Sequence, residues 1–94
     1  MNKSELITTA SEKAGFTKKD MENALKSIIE TIEETVAKNE KVQLVGFGTF
    51  EARARAEREG KNPKTQEPIH IKATVVPAFK SGQTFKDIVK EALA

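Results

Sequence analysis

Residues 53–76 read RARAEREGKNPKTQEPIHIKATVV, and this stretch decides the fold. Its first limb alternates. Ala52, Ala54 and Ala56 fall on one face of an extended strand, with Arg53, Arg55 and Glu57 on the other. The second limb alternates as well, with Ile69, Ile71, Ala73 and Val75 set against His70, Lys72, Thr74 and Val76. Between them lies Gly60-Lys61-Asn62-Pro63-Lys64-Thr65, in which Asn opens a turn and Pro supplies a fixed φ next. The pattern predicts a two-stranded antiparallel ribbon with a proline at its tip. A strand from Thr49 to Glu59 would extend roughly 35 Å at about 3.3 Å per residue. A compact domain of this length has a radius of gyration of only about 12 Å, so the far part must project beyond the body. The ribbon also carries alanines where a core strand would carry bulky residues.

The whole chain has 94 residues, which is one domain's worth. Hydrophobic residues make up 37% and charged residues 32%, enough for a small core but not a deep one, so self-association would help. There is no cysteine, which excludes a disulfide framework, a thiolate metal site and a cysteine nucleophile. No apolar run reaches membrane-spanning length, and the opening MNKSELITT lacks a signal peptide's apolar stretch. A soluble, intracellular protein is expected. The net charge of +2 conceals an asymmetry. Residues 1–40 hold six Lys and eight Asp/Glu, whereas residues 53–80 hold seven Lys/Arg and three Glu. Positive charge gathered on the ribbon and its base is the footprint of a polyanionic partner.

Along the chain, Asn2 is placed to cap a first helix, with Glu5 at its third position and Leu6, Ile7, Ala10 and Ala14 as its apolar stripe. Gly15 ends it. Thr17 then caps a second helix, with Asp20 at the third position and Phe16 placed to staple onto Met21. Met21, Ala24, Leu25, Ile28, Ile29, Ile32 and Val36 form one apolar face, and Asn39 suits a left-handed closing residue. The pair forms a helical hairpin. A helix-turn-helix DNA reader is disfavoured, because the second helix is acidic along its length where a reader offers Arg, Asn or Gln. A short strand follows at 41–45, then a tight turn at Gly46-Phe47-Gly48. A phosphate loop there is excluded by the lack of a following helix and of Gly-Lys-Ser/Thr. Phe47 and Phe50 are expected to pack between sheet and helices or against a second subunit. After Pro77 and Phe79, Ser81 is placed to cap a last helix with Phe85, Ile88, Val89, Ala92 and Leu93 on its apolar face. Lys80, Ser81 and Gly82 would then surround free N–H groups suited to phosphate, with Lys86 one turn on. Lys3, in the first turn of the first helix, opposes the helix dipole and fits a lysine kept for a ligand.

No catalytic constellation is present. His70 is the single histidine and alternates onto the ribbon's polar face, where an exposed side chain is expected rather than a base or a metal ligand. No cofactor, no metal and no small-molecule substrate is implied, and an enzyme is not expected.

Four segments together resemble the bacterial HU proteins, histone-like relatives of integration host factor. They are MNKSELI, KVQLVGFGTFEARAR, GKNPKTQEP and VPAFKSGQTFKD. The resemblance covers essentially the whole chain. It implies an α+β fold: an N-terminal helical hairpin, a three-stranded antiparallel sheet extended into a long β-ribbon arm, and a short C-terminal helix, in an intertwined homodimer. The implied parts of one 94-residue domain are a helical dimerisation base at 1–40, body sheet and C-terminal helix at 41–52 and 77–94, and a DNA-binding arm at 53–76. Double-stranded DNA is the implied partner, bound and bent largely without sequence preference in the bacterial nucleoid, with no membrane association. Pro63 is the implied wedge between base pairs. Lys3, Arg53, Arg55, Arg58, Lys61, Asn62, Lys64, Gln66, Lys72, Thr74, Lys80, Ser81 and Lys86 are the implied DNA contacts. Leu6, Leu25, Ile29, Ile32, Val36, Leu44, Phe47, Phe50 and Phe79 are the implied core or dimer residues.

The chain departs from the family pattern at several places. Glu57 and Glu59 put negative charge in the arm, Lys61 stands where Arg is usual, Gln66 where Gly is common, and Gln83 where Lys is common. Weaker or more salt-sensitive binding is expected, or else Glu57 and Glu59 pair with neighbouring arginines and tune the bend. Two other readings stay open: a site-specific bender of the integration-host-factor kind, and an interaction module whose ribbon pairs with a partner's strand. Pairing with a paralogue rather than with itself is equally open.

Overall fold

Helix α1 (Lys3–Ala14) begins where Asn2, in extended backbone, accepts the Glu5 N–H on its side-chain oxygen at 2.9 Å. It ends at Gly15, which donates its N–H to the Ser11 carbonyl and whose φ of 72° turns the chain so that the Phe16 N–H reaches the same carbonyl at 3.0 Å. Helix α2 (Lys18–Ala37) opens with Thr17 Oγ1 accepting the Asp20 N–H at 3.1 Å. It closes at Asn39, which takes a φ of 62° and donates its N–H to Val36. These four signals are local, and each falls where the sequence places it. The expected staple does not bury Phe16, which stays 55% exposed.

The computed structural model describes residues 1–94 and falls into two compact units, Met1–Glu34 and Thr35–Ala94. In the first, of the expected stripe of α1 only Ile7 is buried, and Ser11, outside that stripe, is buried beside it in the helix, the chain's buried hydrophobic and buried polar side chains. Ser11 is tolerated inside because its hydroxyl donates to the Thr8 carbonyl at 2.8 Å. Ala14 is exposed, contrary to the expected stripe. No helix is long and apolar enough to cross a membrane.

In the second unit, strand β1 (Val42–Leu44) turns through Gly46 and Phe47 into β2 (Gly48–Arg55). Short strands β3 (Arg58–Lys61) and β4 (Pro68–Ile71) follow, then β5 (Thr74–Ser81) and helix α3 (Gln83–Leu93). A three-stranded antiparallel sheet has the order β1-β2-β5, and β3 and β4 form a separate two-stranded sheet. The family of elements expected from the sequence is therefore present, with one difference. The long strand expected from Thr49 to Glu59 is two strands, because ladder pairing lapses at Ala56 and Glu57 and again at Lys72 and Ala73. The register does not slip. Arg55 pairs with Thr74 before the gap and Arg58 with Ile71 after it.

Four of the five phenylalanines form a cluster. Phe50 faces its register partner Phe79 at 4.8 Å between ring centroids, Phe79 lies 5.3 Å from Phe47, and Phe47 stacks on Phe85 of α3 at 5.2 Å. Such pairs contribute about 0.5–1.5 kcal/mol each beyond the area they bury. Even so, the cluster is not a sealed core. Phe47 is 46% exposed and Phe79 39%. Leu6, Ile29 and Leu44, expected as core or dimer residues, are likewise exposed in the single chain, and Leu25, Ile32, Val36 and Phe50 are only half-buried. The exposure has a simple cause: a chain this short has too few residues of its own to cover its apolar faces.

Candidate nucleic-acid interface

Antiparallel partners share a face, so register assigns the cations. On the proximal ribbon, β2 with β5, Thr49, Glu51, Arg53 and Arg55 share a face with Lys80, Ala78, Val76 and Thr74. Phe50, Ala52 and Ala54 lie on the other face with Phe79, Pro77 and Val75. Arg53, Arg55, Thr74 and Lys80 are thus brought together on one face. Glu51 sits among them and is held by Lys41 at 3.4 Å and Arg53 at 3.6 Å. Its carboxylate is only 15% exposed, so it partly neutralises Arg53 and leaves Arg55 and Lys80 as the unpaired cations of that face.

On the distal ribbon, β3 with β4, the faces divide differently. Glu59 and Lys61 share a face with His70 and Pro68, whereas Arg58 and Gly60 share the other with Ile71 and Ile69. Within that ribbon Arg58 is therefore opposite in face to Lys61. Its side of the ribbon is the apolar one.

The tip is a closed loop built on Asn62. Its N–H donates to the Glu67 carbonyl and its carbonyl accepts the Gln66 N–H, both at 2.8 Å. Its side-chain oxygen accepts the Lys64 N–H at 2.9 Å. Thr65 Oγ1 accepts the Glu67 N–H at 3.3 Å. These bonds fold residues 62–67 into a short arch with Pro63 exposed on it, and the half-buried Asn62 holds the arch shut. Gln66 takes a φ of 62°, which explains why a glycine suits this position, and its amide reaches back to the Pro63 carbonyl at 3.5 Å. Lys61, Lys64 and Pro63 are all solvent-exposed here.

The other predicted contacts are placed elsewhere. Ser81 does not cap α3. It ends β5 opposite Gly48, and the N-cap is Gly82, with no side-chain cap bond. A side chain at position 82 is excluded because its Cβ would lie 2.9 Å from the Gly46 backbone carbon. The Gly82 and Phe85 N–H groups donate to the Phe47 and Gly46 carbonyls, at 2.8 and 3.1 Å. The β1–β2 turn thus occupies donors expected to be free for phosphate at this helix start. Lys3 lies in the first unit, in a shallow groove with Ser4, Ile7, Thr8, Lys18 and Glu22. Lys18 in that groove was not singled out by the sequence.

Glu57 and Glu59 do not pair with arginines. Both reach His70, Glu57 to Nε2 at 3.3 Å and Glu59 to Nδ1 at 3.2 Å. Sequence reasoning left His70 merely exposed because this contact depends on cross-strand register, not on neighbours in the chain.

Residues 1–90 match the family described as Bacterial DNA-binding protein. The DNA-binding protein HU of Clostridium pasteurianum is 63% identical over 91 residues, covering 97% of this chain and all of the relative. That of Lactococcus lactis is 58% identical, covering 95% of this chain and 98% of the relative. Among solved structures, Anabaena HU in a cocrystal with DNA superposes with a TM-score of 0.89 at 52% identity, over 95% of this chain and 97% of that one. HU from Thermotoga maritima superposes with a TM-score of 0.68 at 43% identity, over 95% of this chain and 98% of that one.

Proposed function

The chain belongs to the bacterial DNA-binding protein family that includes HU, and from that premise we propose that it binds and bends double-stranded DNA largely without regard to sequence. The observation that carries the reading is a proline presented on a self-closed arch at the end of a basic ribbon. Pro63 has no N–H to strand and is rigid, so it suits entry into an apolar base step. As is general for architectural minor-groove proteins, HU among them, unstacking a step costs about a few kcal/mol. Smooth bending of a short site adds roughly 1–6 kcal/mol. Phosphate neutralisation must offset both. Arg53, Arg55, Thr74 and Lys80 on the proximal face are the contacts to the backbone, and Lys61, Asn62, Lys64 and Gln66 surround the wedge. Arg58, Lys72, Lys86, Ser81 and Lys3 are outlying contacts. Such binding falls with salt by nearly one log unit per log unit of salt for each phosphate neutralised.

The functional unit in this reading is a pair of chains. Support comes from the apolar surface that a single chain leaves open, including Ile28 at 55% and Ile29 at 41% exposed on α2 and Phe47 and Phe79 beside α3. A second copy would cover such faces and present two arms. Residues 1–40 are then the dimerisation base and 53–76 the arm, and the molecule acts in the cytoplasm on the nucleoid, as a scaffold and not as a catalyst. The HU-type reading is preferred to site-specific bending because the named relatives are HU proteins.

Ring closure of short DNA tests this directly. The protein is expected to accelerate closure of fragments too stiff to close alone, and Pro63→Ala is expected to reduce closure more than affinity. Failure of the unaltered protein to promote closure at low salt overturns the function; equal closure by the variant overturns the wedge.

A further inference from the structure

The feature left unexplained by DNA binding is the acidic pair in a basic arm. Glu57 lies in the gap where ladder pairing lapses, and Glu59 is the register partner of His70 in the distal ribbon. The imidazole stands between them, with Glu57 3.3 Å from Nε2 and Glu59 3.2 Å from Nδ1. A neutral imidazole has one N–H and one lone pair, and only the imidazolium donates from both nitrogens. Two carboxylates on opposite ring nitrogens are therefore both satisfied in the protonated state alone. In the neutral state one carboxylate faces a lone pair and is repelled.

We propose that His70 is a positioning residue for the arm: its imidazolium clasps Glu57 and Glu59, ties the elbow at residues 56–57 and 72–73 to the distal ribbon, and makes DNA binding tighten as pH falls. The elbow lacks ladder bonds, so this clasp is the polar link that reaches into it from the distal ribbon. Protonation also changes charge. Two carboxylates and an imidazolium carry a net −1; with neutral imidazole they carry −2. Strand β3 is the only strand paired with β4, and Glu59 and Lys61 are its charged residues on the His70 face. Glu57 approaches from the gap before β3, and Lys72 follows β4 on the other side of the elbow. The clasped arm is therefore the arm whose ring carries both protons. The sign follows from the geometry: the clasp forms where the ring donates from both nitrogens and is lost where one of them is a lone pair. The three side chains are exposed, so the effect is modest.

This inference rests on the DNA-binding reading for its last step, and its test separates the two. Affinity for a short duplex is measured at constant low ionic strength from about pH 5.5 to about pH 7.5, for the unaltered protein, His70→Gln and the Glu57→Gln/Glu59→Gln pair. His70 is the chain's one histidine, so a slope abolished by His70→Gln belongs to it. The unaltered protein is expected to bind about two- to fivefold more tightly at the acid end. His70→Gln is expected to be flat, and the double variant tight throughout with a smaller slope. A flat profile for the unaltered protein, or the same slope in His70→Gln, overturns the clasp. Absence of DNA binding at every pH overturns the proposed function instead. The clasp is then judged on the free protein by NMR. Amide resonances of Ala56, Glu57, Lys72 and Ala73 are expected to move in step with the His70 ring; independence from the ring overturns it.

Discussion

The proximal and distal halves of the same ribbon are built on opposite terms. In the proximal half, β2 is paired on both sides, with β1 along one edge and β5 along the other. Its base is filled by Phe50, Phe79, Phe47 and Phe85. The distal half has four residue pairs, no third strand and no phenylalanine. An isolated two-stranded hairpin is marginal in water. Yet the register runs from one half into the other without a slip. The wedge proposed for Pro63 calls for a base that does not yield and an end that adjusts. The ribbon divides these demands at the point where its ladder lapses.

Two glycines sharpen the contrast, and the proximal one gives the largest effect. Gly48 is buried at the start of β2. A Cβ there would meet the Phe79 ring and lie 2.6 Å from the Lys80 carbonyl oxygen. Neither can retreat cheaply, since one is packed on Phe47 and Phe50 and the other belongs to the paired backbone of β5. Gly48→Ala is expected to destabilise the protein by about 3 kcal/mol. For a chain of this size that lowers the thermal midpoint by roughly 10–20 °C. A midpoint within about 2 °C of the unaltered protein would break the claim that the base is rigidly packed.

The tip gives a smaller and more local effect. Asn62→Ala removes the acceptor for the Lys64 N–H while leaving the backbone bonds to Glu67 and Gln66. The loss is about 1 kcal/mol, confined to the arch. The global melting midpoint is expected to stay within about 2 °C, because the distal sheet has no strand in common with the body sheet. Amide resonances of Lys64 and Gln66 are expected to shift and broaden. A fall in the midpoint as large as that of Gly48→Ala would show that tip and base fold as one.

How far the sequence carries depends on the range of the interaction. Caps at Asn2 and Thr17, the left-handed stops at Gly15 and Asn39, and the Asn62 turn each involve residues within four positions of one another, and all were legible. Alternation placed Arg53 and Arg55 on one face of their strand, and the register then adds Thr74 to it. Three features were not legible. The Glu57–His70–Glu59 clasp joins residues 11 or more apart and follows only once the register is fixed. Ser81 looked like a cap because a hydroxyl before a helix usually is one; the close approach of Gly82 to the Gly46–Phe47 turn, a tertiary contact, moved the cap by one residue. The thin core was hidden because periodicity reports which face is apolar and not what covers it.

Gly60→Ala should have the smallest effect, and its sign is the informative part. Gly60 lies inside β3 and has no left-handed backbone requirement. An added Cβ would lie 3.1 Å from Ile71 Cδ1 and 3.8 Å from Ile69 Cγ1. The nearer atom is the free end of a flexible side chain, so a shift of a few tenths of an ångström relieves it. Against that strain stands a gain: glycine within a strand is less favourable than alanine by roughly 0.5–1 kcal/mol, because it gives up more freedom on folding. The methyl also extends the apolar face shared by Ile69 and Ile71. The distal ribbon is therefore expected to gain a few tenths of a kcal/mol, seen as slower amide exchange at Ile69 and Ile71 with the melting midpoint unchanged. The same methyl group is thus harmful at one end of the ribbon and mildly helpful at the other. If Gly60→Ala instead lost exchange protection or melted as early as Gly48→Ala, the distal half would be as tightly constrained as the base, and an adjustable end could not account for the wedge proposed at Pro63.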